Sequence, residues 1–160
     1  YRNIWLDLTW SWLLSPSLLD WTQAVIRAIS ATTPVVVLAT SEYLDDHVDF
    51  PPPTGPNISV VKADPWRDNL AVQTAILQRA SAFVGTWGGM AQLAVRLRIP
   101  TVAFYEKWFG CSYQHLVLTQ WLAVQQGTPC VVGRPMDVEQ VRAILPTAIP
   151  LPDAPRGSSS

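Results

Sequence analysis

Six short runs constrain this chain more than any other feature. Residues 4–8, 35–39, 58–61, 82–85, 101–105 and 130–133 are apolar almost throughout and rich in β-branched or aromatic side chains. A strand with water on one face alternates apolar and polar residues, whereas a strand covered on both faces does not, so continuous apolarity predicts a buried parallel sheet. Stretches of helical period lie between the runs. Ser15-Pro16 reads as a cap followed by proline in the first turn, after which Leu18, Trp21, Val25 and Ile29 keep one face apolar. Comparable faces are expected at Val72, Ala75 and Ile76, at Met90, Leu93, Ala94 and Leu97, at Tyr113, Leu116, Val117 and Val124, and at Val138, Val141 and Leu145. The crossover over 42–49 is short and weakly patterned.

Parallel neighbours need crossover connections, which are almost always right-handed. The expected architecture is therefore α/β: a doubly wound, six-stranded parallel sheet, Rossmann-like, with helices on both faces. The proline-rich stretch 51–56 reads as a stiff surface connection, because the alternating pattern resumes directly after it. One domain over 1–150 and a flexible tail over 151–160 are expected, since Pro, Gly and Ser dominate from Pro146 onward.

Composition closes off several function classes. With 49% hydrophobic and 10% aromatic residues the chain can build a core and does not read as disordered. A formal charge of −1, from 11 basic against 12 acidic groups, argues against a polybasic nucleic-acid binder. No apolar run reaches the ~20 residues of a membrane span. The first residues lack the apolar stretch of a signal peptide, which favours the cytoplasm. Cys111 and Cys130 are too few for a disulfide framework and read as buried thiols, with a single bridge between them left open. His47 and His115 stand apart from any cysteine or acidic cluster, so no metal is expected.

Ligands of an open parallel sheet bind beyond the carboxyl ends of the strands, near the point where strand order reverses. Within the loops at that edge the strongest signal is Val84-Gly85-Thr86-Trp87-Gly88-Gly89-Met90, a strand end, paired glycines and the start of an amphipathic helix. Glycine lets an anion approach the backbone, and the free N–H groups of a helix start favour negative charge, an arrangement that suits a phosphate. The same glycines also fit a tight reversal of the chain with no ligand. Neither a Gly-x-Gly-x-x-Gly after the first strand nor a Walker sequence is present, which disfavours an ordinary NAD site and a P-loop enzyme.

Eight tryptophans form the second signal, of which Trp10, Trp12, Trp66, Trp87 and Trp108 fall on ligand-edge loops. Such a cluster can stack on bases or sugars or cover a partner surface. Folding back onto the core is the alternative, expected for Trp5 and Trp21 and for about half of the loop set. Charged candidates are few. Glu106 could accept hydrogen bonds from sugar hydroxyls, and Lys107 or Arg67 could neutralise a diphosphate, while Asp64 before Pro65 also fits a turn. No Ser-His-Asp or Cys-His arrangement can be assembled.

The segment Arg79-Ala80-Ser81-Ala82-Phe83-Val84-Gly85-Thr86-Trp87-Gly88-Gly89-Met90-Ala91-Gln92-Leu93-Ala94, with Ile99-Pro100-Thr101-Val102-Ala103-Phe104-Tyr105 after it, resembles the donor half of B-fold glycosyltransferases. The resemblance implies binding of a nucleotide diphosphate sugar as substrate, with no further cofactor and no metal. It puts the diphosphate at Thr86 to Met90 and the base and ribose near Asp64 and Glu106. Where the heptosyltransferase version has Asp-Ser or Asp-Thr before the glycine and His after the methionine, this chain carries Thr86, Trp87, Ala91 and Gln92. Non-hydrolysing UDP-sugar 2-epimerases share the architecture and have a Ser-Gly-Gly turn, and with Trp87-Gly88-Gly89 in that place part of such an epimerase stays an alternative. B-fold transferases react in a cleft between two Rossmann halves, so the resemblance implies a partner: an N-terminal half, supplying acceptor contacts, without which turnover is little or none. The competing expectation is a non-catalytic module of the same fold that docks through Trp10, Trp12, Trp87 and Trp108.

Overall fold

The computed structural model describes residues 3–7, 16–40, 52–63, 69–105, 110–134 and 140. Within these, the elements in chain order are β1 (Asn3–Asp7), α1 (Pro16–Ser30), β2 (Val35–Thr40), β3 (Ile58–Ala63), α2 (Asn69–Leu77), β4 (Ala80–Thr86), α3 (Gly89–Arg96), β5 (Thr101–Phe104), α4 (Gly110–Gln126) and β6 (Cys130–Gly133). Each apolar run is a strand, displaced by at most two residues at either end. The weak crossover at 42–49, the helical pattern at Val138, Val141 and Leu145, and the tail lie outside the described residues.

The strands pair as parallel neighbours in the order β3-β2-β1-β4-β5-β6. Asp7 stands opposite both Leu38 and Gly85, and Phe104 opposite both Thr86 and Gly133, so the carboxyl ends of the strands finish nearly level. A right-handed crossover from β1 to β2 runs in the opposite direction across the sheet from those leading to β4, β5 and β6, which sends α1 to one face and α2 and α3 to the other.

Side-chain alternation records that division. Val36, Leu38, Phe83 and Ala103 point into one buried cluster with Leu77 of α2, Ala91 and Ala94 of α3, and Ile99. The alternate residues Val35, Val37, Ala82, Val84, Val102 and Phe104 are also buried, as are Val25, Ile26 and Ile29 of α1. Trp21 of α1 meets Phe104 edge-on, with ring centroids 4.8 Å apart and planes at 76°. Such a pair contributes ~0.5–1.5 kcal/mol beyond its buried area. Continuous apolarity thus does mark coverage of both faces in β2, β4 and β5. It does not at the ends of the sheet, where Ser59 and Val60 of β3 are exposed and β6 is half-buried throughout.

Two helix faces differ from expectation. In α2 Val72 and Ala75 are exposed while Ile76 does pack against the core cluster, and the buried positions are Gln73 and, one turn on, Leu77. In α4 Tyr113, Val117 and Val124 are exposed, and the helix instead buries Thr119 and Ala123. The physical reason in α4 is the absence of Asp, Glu, Lys and Arg from the whole helix, so apolar spacing selects no side. Small residues then set the contact, because they allow the closest approach.

The connection before β3 is tied to the sheet's amino edge. Pro53 is buried, and Gly55 accepts a hydrogen bond from the Ile58 N–H at 3.1 Å. The carbonyl of Asn57 accepts from Val35 N–H at 2.8 Å, while its Nδ2 donates to the Ser30 carbonyl at the end of α1 at 2.9 Å. Asn57 therefore joins α1, β2 and β3. Nothing in the sequence reading had singled it out.

Candidate functional site

The order of the sheet reverses between β1 and β4, because β1 continues to β2 on one side while β4 continues to β5 on the other. Beyond the carboxyl ends of these two strands lies the crevice in which open α/β sheets bind ligands. The turn from Thr86 to Met90 leaves β4 at that place.

The turn is held from below. Trp87 N–H donates to the Phe104 carbonyl at 2.7 Å, continuing the β4–β5 ladder one residue past Thr86. The Trp87 side chain is half-buried and packs against the core cluster, as does that of Met90. Gly88 is the N-cap of α3, with extended backbone at φ −173° and ψ −161°, and its carbonyl accepts the Gln92 N–H at 3.1 Å to close the first turn.

A helix leaves its first N–H groups without intrahelical acceptors. At α3 no side chain caps them, since the N-cap residue is Gly88 and no side-chain cap bond is made there. The backbone does not require glycine, because φ near 180° is open to any residue. Packing does not require it either: a Cβ added at Gly88 or Gly89 would meet nothing within 4 Å. The glycines therefore do not serve crowding or a left-handed turn. They place no Cβ at the start of α3, which has no side-chain cap, and a helix dipole stabilises an anion at such a start by about 0.3–1 kcal/mol.

The other candidates are placed only through their strands. Glu106, Lys107, Asp64 and Arg67 lie outside the described residues. Glu106 and Lys107 follow β5, the immediate neighbour of β4, whereas Asp64 and Arg67 follow β3, three strand positions away, or about 14 Å across the sheet. Trp10, Trp12, Trp66 and Trp108 are likewise outside the described residues, as are His47 and the side chains of Trp5 and Cys111. His115 is exposed on α4, and Cys130 is a free, half-buried thiol. Among the described residues no group of three or more His, Cys, Asp or Glu is disposed to hold a metal, and no helix is long and apolar enough to cross a membrane. Phe104, whose carbonyl anchors the turn, was read from sequence only as part of a strand; its signal is its register opposite Thr86, which a single run of residues does not display.

No protein-family model matches the chain, and no curated protein does. Among solved structures it is similar to the glycosyltransferase SnogD from Streptomyces nogalater, with a TM-score of 0.51 and 15% sequence identity over 92% of this chain. At that identity the likeness is one of fold, and it makes the architecture glycosyltransferase-like. The chain spans 34% of the length of SnogD.

Proposed function

We propose that this chain is a doubly wound, six-stranded Rossmann-like domain that binds a nucleotide diphosphate sugar as the donor half of a glycosyltransferase. The observation that carries the reading is the glycine start of α3, with no side-chain cap, at the reversal point of a glycosyltransferase-like sheet. In this role the backbone N–H groups of Gly88, Gly89 and Met90 receive the diphosphate. As the sugar–phosphate bond breaks, negative charge grows on the leaving diphosphate, and fixed donors with an aligned helix dipole stabilise that charge without reorganising. No step in this scheme calls for a metal. Glu106 and Lys107 follow β5, which pairs with β4, and in this reading they serve the ribose and the phosphate. Asp64 and Arg67 serve only a ligand long enough to cross β1 and β2.

Acceptor binding falls to a second half facing the carboxyl edge. The likeness to about a third of a glycosyltransferase supports that division of labour. A docking role for the tryptophan edge draws less support, because Trp87 packs its ring against the core.

Titration of the isotopically labelled chain with UDP, GDP and ADP tests the reading. Amide shifts confined to Gly88, Gly89, Met90 and their neighbours are expected with at least one nucleotide. Unmoved resonances at those residues with all three nucleotides would overturn it.

A further inference from the structure

Among the described residues the arginines divide by position. Arg27 and Arg96 close the last turns of α1 and α3, Arg79 follows α2, and Arg98 follows α3. A helix carries partial negative charge at its carboxyl end, so each of these four cations complements the backbone beside it. The fold accounts for them. It does not account for Arg134.

Arg134 stands at the opposite edge of the sheet. β6 ends at Gly133, whose carbonyl accepts the Tyr105 N–H at 2.9 Å, and this bond carries the β5–β6 ladder one residue past Phe104. Thr86, Phe104 and Gly133 share one row of the sheet, so Trp87, Tyr105 and Arg134 form the next row, at the carboxyl edge. Val132 packs against the core cluster on the face that carries α3, and strand alternation puts residue 134 on that face too. Helices α3 and α4 both start at this edge, with no acidic residue in the first turn of either, and their positive ends disfavour a cation. Arg134 is exposed and forms no ion pair among the described residues. Its charge has the wrong sign for the fold and the right sign for an anion.

The distance suits a second phosphate. β6 is two strand positions from β4, or about 10 Å across the sheet. An arginine side chain spans roughly 7 Å, and its planar fork offers paired donors to phosphate oxygens. A group held in front of β4 is therefore about one hydrogen bond beyond its tip. We propose that Arg134 binds one phosphate of the sugar nucleotide while the start of α3 holds the other, which makes the site selective for a diphosphate over a monophosphate. This role rests on α3 as the diphosphate site.

Calorimetric titration of the full chain with UDP and UMP, GDP and GMP, and ADP and AMP reads the selectivity. The wild type is expected to bind one diphosphate at least about tenfold more tightly than the matching monophosphate. Arg134→Ala should weaken that diphosphate about ten- to hundredfold, as for the loss of a hydrogen bond between charged groups, and the monophosphate by less than about threefold. Arg134→Lys keeps the charge without the paired donors and should fall between wild type and alanine. Arg79→Ala removes the same charge at the far edge and should leave both affinities unchanged, which separates contact from net charge. All of these positions are exposed, and far-UV circular dichroism should match the wild type. Amide shifts at Gly88, Gly89 and Met90 with an unchanged diphosphate affinity in Arg134→Ala, or an equal loss for both nucleotides, would overturn the role of Arg134 alone. A wild type that binds none of the six would overturn the reading of α3 and this role with it.

Discussion

Arg98 and Gly127 occupy the same backbone position in two copies of one helix ending. After α3, Arg98 has φ +61°, its N–H bonds the Val95 carbonyl at 2.9 Å, and Ile99 N–H bonds the Ala94 carbonyl at 2.9 Å. After α4, Gly127 has φ +64°, its N–H bonds the Val124 carbonyl at 3.2 Å, and Thr128 N–H bonds the Ala123 carbonyl at 2.9 Å. Both are Schellman caps, whose left-handed residue is normally glycine because it lacks the Cβ that clashes there.

Arg98 therefore sits in a conformation that costs a residue with a Cβ. Arg98→Gly is expected to stabilise the fold by roughly 1 kcal/mol, and Gly127→Ala to destabilise it by a similar amount. A Cβ at Gly127 meets nothing within 4 Å, so the second change isolates the backbone cost from any crowding. Urea unfolding of both variants reads the pair, and equal midpoints for Arg98→Gly and wild type would show that the cap stores no strain.

Gly89→Val fills the space in front of the α3 N–H groups. Because the added side chain enters open space at an exposed position, stability should change by less than about 0.5 kcal/mol. Binding of the nucleotide diphosphate, measured by calorimetry, should fall below detection. A variant that keeps the wild-type affinity would place the anion elsewhere.

Asn57 ties the end of α1 to the sheet through Nδ2 and the Ser30 carbonyl. Asn57→Ala removes that bond at a cost of about 1 kcal/mol. Asn57→Asp should cost more at neutral pH, since it sets a carboxylate against a carbonyl at the negative end of the helix. Thermal unfolding should rank the three as Asn, Ala, Asp from most to least stable, and any other order would contradict the contact.

Burial raises the Cys130 thiol to about 11, from an ordinary value of 9.0. The folded chain then keeps a proton that the unfolded chain gives up. The stability this group contributes is fully present below pH ~9 and is lost as pH climbs through about 11. Relative to Cys130→Ala, the wild type should lose stability more steeply over that window. At neutral pH the thiol should react slowly with alkylating agents, because little thiolate is present. Rapid modification at pH 7 of the folded protein at Cys130, located by peptide mapping, would contradict the burial.

Strands were legible in this chain because coverage on both faces leaves a mark that needs no partner to be seen, as in Val35 to Leu38. Helix orientation was less so. No Asp, Glu, Lys or Arg marks an outer side of α4, so Tyr113 and Val117 looked as inward as Thr119, and the choice lay with the neighbours that Ala123 could approach. The Gly88-Gly89 turn was visible as a motif, but whether its glycines served the fold or a ligand depended on the space around them. Arg98 gave no sign of its left-handed backbone, since that conformation follows from how α3 meets Ile99 and not from arginine itself.

The bond from Trp87 N–H to the Phe104 carbonyl links the opening of α3 to a phenyl ring that touches Trp21 across the sheet. Any molecule that displaces the turn must also strain the tip of β5, and with it the environment of an indole on the far side. Occupancy at the crevice should thus change the chain's tryptophan emission by a component that disappears in Trp21→Phe.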